Sequence, residues 1–484
     1  MPATVERRPS RLAPVHRIAR GIDRRTIVRI GTIAVACYGA VLAIGALGRP
    51  YNFFDLRIYH GAVVWWAGGG ELYEFIAPET TLGFTYPPFS ALVMLPMAGL
   101  SVTTAGWINI ISSLAALAAV LAALVGPIAD RYGWSRWFAV ALSLPLFAAI
   151  EPVRETLGYG QVNLLLFALI MADVVALRWY ARGGARGRQA GGSWMGRLWF
   201  GGAWAGVGVG LATAIKLTPA LFILYLVVTR QWRAVMTAVI TAVGVTAVAF
   251  MVAGRESMAY FAGVMWDTER VGAADMTPNQ SLAGVLARLY DSVETPGLMW
   301  LAFSLVMLAV GLTRAATAHA EGDELTAFTL VGLTANVISP ISWTHHLVFV
   351  IPAIIVLADA ALRRRAASHG LVARARLAAR SHAGGGLLTG SGLRSPIWFP
   401  TLTGLRHAVA AAGLWVLFLV APIWYYEHKL PEGVSHYADG LSGAFWENSL
   451  AIALIVLVAA LPWRPGADPA FHSEPARTPP RPRR

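Results

Sequence analysis

Long apolar runs separated by short polar breaks dominate this chain. A bilayer-crossing helix needs about 20 mostly apolar residues. By that measure twelve spans are predicted near 28–48, 86–101, 103–126, 159–177, 198–214, 217–230, 234–253, 297–313, 325–340, 346–362, 406–426 and 445–463. A further run, 136–150, would invert every later crossing, so it is read as a half-span or re-entrant segment. Such a segment is tolerable at membrane depth only where protein covers it. The stretch 151–158 then becomes an outer loop. Between the first two spans, Ile58, Ala62, Trp65 and Trp66 recur at helical spacing before Gly68-Gly-Gly. Residues 55–67 are therefore predicted to form an amphipathic helix lying along the membrane surface, with Asp55 at or near its N-cap.

Composition agrees with that pattern. Apolar residues make up 56% and charged residues 13% of the 484, against about 25% charged in soluble domains. Mean hydropathy is +0.57. An all-α polytopic membrane protein follows, with a retained first span rather than a cleaved leader. The one cysteine, Cys37, lies inside that span, which excludes disulfides and cysteine-based metal sites. The net charge of +13 would suit nucleic acid if it were clustered on a folded surface. Instead the arginines gather in the N-terminal tail (1–27), in the loops 178–197 and 363–405, and in the Pro/Arg-rich tail 464–484, which is expected to be disordered. Basic segments flanking spans mark the cytoplasmic face and anionic lipid. Both termini are thus expected inside the plasma membrane, and the loops 49–85, 254–296, 341–346 and 427–444 outside. The catalytic domain would occupy 28–463, with no nucleic-acid partner.

The outer loops hold the chemistry. Asp55 sits in Asp55-Leu-Arg57-Ile-Tyr59-His60, and the loop closes at Phe84-Thr-Tyr86-Pro-Pro. It is either a helix cap or a general base. Glu151, Arg154 and Glu155 precede Gln161 and Asn163, which open an apolar span and serve either as interhelical glue or as cavity lining. Arg154 calls for a carboxylate or a phosphate. Lys216, between two apolar runs, faces a cavity, a counter-ion or an anionic ligand, or else snorkels to the headgroups. His345 and His346 follow Ser339-Pro-Ile-Ser-Trp-Thr in a hinge. Adjacent histidines diverge on a helix and no third ligand is evident, so substrate contact is favoured over metal, with interfacial histidines as the plain alternative. Asn279 and Gln280 lie in an acid- and amide-rich loop with donors and acceptors suited to sugar hydroxyls. No phosphate-cradling Gly-x-x-x-x-Gly-Lys-Ser/Thr loop is present.

Taken in order, Asp55-Leu-Arg-Ile-Tyr-His-Gly-Ala, Gly70-Glu-Leu-Tyr73, Phe84-Thr-Tyr-Pro-Pro-Phe89, Gly160-Gln-Val-Asn163, Lys216-Leu-Thr-Pro219, Asn279-Gln-Ser281 and Ser339-Pro-Ile-Ser-Trp-Thr-His-His346 resemble the actinobacterial polyprenol-phosphate-mannose-dependent α-(1→2)-mannosyltransferases. The resemblance implies a GT-C-type glycosyltransferase bundle, a polyprenyl-phosphate-mannose donor, and a mannosyl glycolipid acceptor such as phosphatidylinositol mannoside or lipomannan. It implies inverting transfer with Asp55 as base. Lys216, His345, His346 and Arg154 would serve the leaving phosphate, with Arg57, Tyr59, His60, Tyr86, Gln161, Asn163, Asn279 and Gln280 around the substrates. Neither a metal nor another cofactor is expected. An arabinofuranosyltransferase using a polyprenyl-phosphate-arabinose donor, which shares the fold and a similar first-loop acid, is one alternative, and a lipid-linked sugar transporter or flippase is the alternative from a different class.

Overall fold

The structure is a computed structural model that describes residues 23–181, 201–267, 269–382, 404–429 and 435–463. Residues 1–22 and 464–484 of the Arg-rich tails, most of the 178–197 loop and residues 383–403 of the other basic loop lie outside these residues. Helices form wherever the apolar runs are long and free of breakers. Among the described residues, six are long and apolar enough to cross a bilayer: α1 (Arg24–Leu47), α4 (Val102–Arg131), α7 (Asn163–Ala181), α10 (Trp232–Val252), α13 (Gly297–Ala320) and the stretch Leu405–Glu427. Two bent pairs raise the total to eight if each counts once. The first is α5 (Arg136–Ala148) with α6 (Glu151–Tyr159), bent by 71°; the second is Gly440–Glu447 with Ser449–Ala460, bent by 61°. This is an all-α multi-pass membrane protein.

Several expected spans are shorter than the hydropathy pattern predicts. The 86–101 run is a helix, α3 (Pro88–Met94), with Pro88 in its first turn, followed by a 3₁₀ turn, Leu95–Gly99. Proline is tolerated at the start because the first N–H groups have no intrahelical partner, but Pro96 ends the α-helix early. The 198–230 region yields two 9-residue helices, α8 (Val207–Ile215) and α9 (Ala220–Val228). At 1.5 Å per residue each is about 14 Å long, half a bilayer. They part at Lys216, whose backbone is extended (φ −148°, ψ 126°), just ahead of Pro219. A carboxylate from a neighbour fixes the start of α8: Asp173 of α7 accepts from the Gly208 N–H (3.3 Å) and the Val209 N–H (2.7 Å), favoured by the helix's positive end.

Residues 136–150 are indeed a half-length helix that turns sharply. Residues 151–158, however, form the buried helix α6 rather than an outer loop. Likewise α15 (Val350–His382) continues 20 residues past the expected end of its span, into the Arg-rich stretch read as a loop. The inner helix α14 (Glu324–Ile338) is almost wholly buried.

The amphipathic helix appears as α2 (Phe54–Ala67), stopped at Gly68. The strap leading into it is held by aromatic rings seated in glycine notches. Tyr51 lies over Gly158 of α6 and Phe53 over Gly106 of α4, positions where a Cβ would fall within 3 Å of the ring. Asn52 and Phe53 both take left-handed backbone (φ 48° and 56°), a region costly for residues with a Cβ. The Phe53 N–H donates to the Gly158 carbonyl at 3.0 Å.

Candidate active site

A cavity of about 1170 Å³ opens between α2, the 79–87 segment, α6, the α8–α9 break, the 270–278 loop and the 339–346 hinge. Asp55 stands in its wall as the second residue of α2. The N-cap position belongs to Phe53, which makes no side-chain capping bond. Capping therefore does not account for the carboxylate.

Gln161 organises this wall. Its Nε2 donates to Asp55 Oδ2 (2.6 Å) and to the Tyr59 hydroxyl (2.8 Å), while its Oε1 accepts from the Tyr86 hydroxyl (2.9 Å). Tyr59 in turn donates to Tyr86 at 3.0 Å. Two tyrosines and one amide, all buried, thus orient one carboxylate. Burial pushes the Asp55 carboxyl up to about 6, against the opposing pull of the Gln161 hydrogen bond and the Lys216 charge.

Lys216 reaches the same cavity from the break between α8 and α9, where unwound backbone is acceptable because it borders the cavity. Its Nζ donates to Asn163 Oδ1 (3.2 Å) and, at 3.5 Å, to the Tyr86 hydroxyl, and it meets His346 Nε2 at 2.8 Å. Because His346 Nδ1 accepts the Trp343 N–H at 3.2 Å, the neutral imidazole carries its proton on Nε2, and that N–H points at Lys216 Nζ. Two full cations cannot face each other there until an anion arrives. The hinge backbone is pinned by amides: Asn163 Nδ2 donates to the His345 carbonyl (3.0 Å) and Asn336 Nδ2 to the His346 carbonyl (3.2 Å). The Asp55 carboxylate and the Lys216–His346 pair thus face one space, joined through Gln161 and Tyr86.

Not every predicted residue belongs to it. Arg154 is buried away from the cavity, ion-paired with Glu151 and donating to the Ala149 and Leu419 carbonyls (3.1 and 2.6 Å), so its charge is spent inside the protein. Arg57 folds back on the Asn52 carbonyl (2.7 Å), and His60 Nε2 meets the Leu100 carbonyl (2.8 Å). Asn279 and Gln280 are fully buried and do not line the cavity. Asn279 Oδ1 accepts the Ser342 N–H (2.9 Å) and its Nδ2 donates to the Ala274 and Pro340 carbonyls (2.8 and 3.2 Å). Gln280 spans from the Thr277 and Glu447 carbonyls (2.7 and 2.9 Å) to the Ala451 N–H (2.9 Å). Asn279 thus ties its loop to the hinge, while the Gln280 side chain ties that loop to the bent pair at 440–460. Conversely, Tyr159, Trp343 and Trp424 line the cavity without having been singled out. Aromatic residues are frequent at span ends, so position alone did not separate them.

The sequence has counterparts among known proteins. A polyprenol-phosphate-mannose-dependent α-(1-2)-phosphatidylinositol mannoside mannosyltransferase of Mycobacterium tuberculosis is 28% identical over 81% of this chain and 94% of its own length. The corresponding phosphatidylinositol pentamannoside mannosyltransferase of Mycolicibacterium smegmatis is 32% identical over 62% of this chain and 68% of its own. An α-(1->3)-arabinofuranosyltransferase of Mycobacterium tuberculosis is 27% identical over 40% of each chain. No solved structure matches. Residues 84–340, which carry Tyr86, Gln161, Asn163 and Lys216, match Glycosyltransferase family 87. With more than half of its length in that match, the chain belongs to glycosyltransferase family 87.

Proposed function

We propose that this enzyme transfers mannose from a polyprenyl-phosphate-mannose to a mannosyl glycolipid, forming an α-(1→2) linkage on the outer face of the membrane. The observation that carries the proposal is the meeting of Asp55 with the Lys216–His346 pair in one cavity. A β-linked mannosyl phosphate giving an α-linked product requires a single inverting displacement. The acceptor hydroxyl oxygen bonds to the anomeric carbon, the bond from that carbon to the phosphate oxygen breaks, and the hydroxyl proton passes to Asp55. Gln161 aims the carboxylate, and burial raises its basicity. The leaving phosphate becomes a monoester and needs cations rather than an acid, a role for Lys216 and His346. A phosphate placed between them accepts from the Lys216 ammonium and from His346 Nε2–H. The donors and acceptors of the related mannosyltransferases support this substrate class, and the basic loops support cytoplasmic termini with an outer site.

Transfer of radiolabelled mannose from polyprenyl-phosphate-mannose in membranes, wild type against Asp55→Asn, tests the reading. Mannolipid formed by wild type and lost in the variant is expected. Wild-type membranes that form no mannolipid from this donor would overturn it.

A further inference from the structure

The two adjacent hinge histidines have different neighbours. His346 faces Lys216. His345 turns the other way: its Nδ1 lies 4.0 Å from Glu155 Oε2, too far for a direct hydrogen bond. Its ring is only 5% exposed, yet among the described residues neither ring nitrogen has a hydrogen-bond partner. An imidazole in that condition costs free energy unless something meets it. Both His345 and Glu155 line the large cavity, beside Tyr159, Thr344 and Trp424.

What fills the gap is limited by its surroundings. Glu155 Oε2 accepts the Thr344 hydroxyl, and Glu151 lies one turn back on the same helix. The Glu151 carboxylate is engaged by Arg154 and by the Trp424 indole N–H. Two carboxylates on one face of α6 make poor company for a phosphate. A hydroxyl fits. It donates to the carboxylate, accepts from the imidazole N–H, and bridges atoms 4.0 Å apart with two ordinary bonds of about 2.7–2.9 Å meeting at an angle.

We propose that Glu155 and His345 form a subsite for a hydroxyl of a hexose, separate from the Lys216–His346 pair that takes the phosphate. This assignment rests on the mannosyl transfer proposed above, and it divides neighbouring histidines between two chemistries. The hydroxyl belongs to the donor's mannose or to the acceptor's, and the two kinetic arms below tell which.

The full chain in lipid nanodiscs is compared as wild type, Glu155→Gln and His345→Gln. The Michaelis constants for polyprenyl-phosphate-mannose and for the mannosyl acceptor are measured, with inhibition by sugar-free polyprenyl phosphate. Both variants are expected to raise one Michaelis constant by about 10-fold or more, the scale of one hydrogen bond to a charged group. Inhibition by polyprenyl phosphate, which has the phosphate but no hexose, should stay at the wild-type level. Lys216→Met should weaken that inhibition, and it supplies the contrast. Unchanged Michaelis constants for both substrates, or weaker polyprenyl phosphate inhibition in His345→Gln, would overturn the subsite. If His345→Gln fails to fold by thermal unfolding, Glu155→Gln carries the same measurements with its Thr344 contact preserved. Binding of methyl α-D-mannopyranoside, followed by tryptophan fluorescence, reads the subsite without the donor. Its loss in Glu155→Gln supports the subsite even if transfer from the lipid donor is absent, and equal binding in wild type and variant counts against it.

Discussion

Two clusters in this protein use nearly the same side chains and reach opposite ends. One is Asp55, Gln161, Tyr59, Tyr86 and His346. The other is Glu324, Gln231, Tyr225 and His319, at the far end of α14 from the hinge. In the second, Glu324 Oε1 accepts from Tyr225 (2.8 Å) and Gln231 (3.0 Å), and Oε2 meets His319 Nδ1 at 2.6 Å. Every strong acceptor has its partner within the protein, and none of these residues lines the large cavity. The first cluster instead leaves one carboxylate oxygen of Asp55 and the Lys216–His346 pair facing open space. Residue type is the same in both; what differs is capacity left over and a cavity to spend it in.

Asp55→Asn is the strongest test of that contrast. Asparagine keeps the shape of the side chain and an oxygen for Gln161 but cannot take a proton. Mannosyl transfer should fall by about 10²–10⁴-fold while thermal stability stays near wild type. Retained turnover would return the cavity cluster to the structural kind. Next in size, Lys216→Met and His346→Ala should each lower turnover about 10- to 150-fold, the equivalent of a charge-assisted contact of about 1.5–3 kcal/mol. Normal kinetics in both would remove the phosphate role.

The pH profile sharpens the comparison further. A base must be ionised to act, so the rate should fall as pH drops through about 6, where the Asp55 carboxyl gains its proton. The Lys216 charge lowers that carboxyl's value, so the residual activity of Lys216→Met should show its acid limb at higher pH. An unshifted limb would mean that the two groups do not sense each other. The smallest kinetic effect belongs to the closed cluster. Glu324→Gln should leave turnover unchanged and reduce unfolding stability by about 1–3 kcal/mol, through partners left unsatisfied in a buried place. Lost activity in a stable protein would erase the distinction.

Much of the cavity cluster was legible because each member interrupts a pattern. Asp55 follows a span, Lys216 splits two apolar runs, and the histidine pair marks a hinge. Gln161 was visible as a polar residue at a span start, but its bonds to Asp55, Tyr59 and Tyr86 cross 75 to 106 positions, and spacing does not encode them. Hydropathy measures how apolar a run is and says nothing of where it bends. That is why 86–101 and 198–230 look like full crossings while Pro96 and the Lys216–Pro219 break make them partial. Arg154, Asn279 and Gln280 resemble ligand contacts in sequence because the same donors that hold a sugar also hold a carbonyl. The Glu324 cluster went unseen for a related reason: Glu324 sits at a helix start, where acids are ordinary.

The rings of Tyr51 and Phe53 work as locating pins. Each drops into a notch that exists only because its floor is glycine, one on α4 and one on α6, and the left-handed strap between them leaves little slack. Asp55 is therefore aligned by two separate helices rather than by its own loop. An added methyl at Gly106 or Gly158 would misalign it from a distance, in a protein still folded and still holding every residue of its active site.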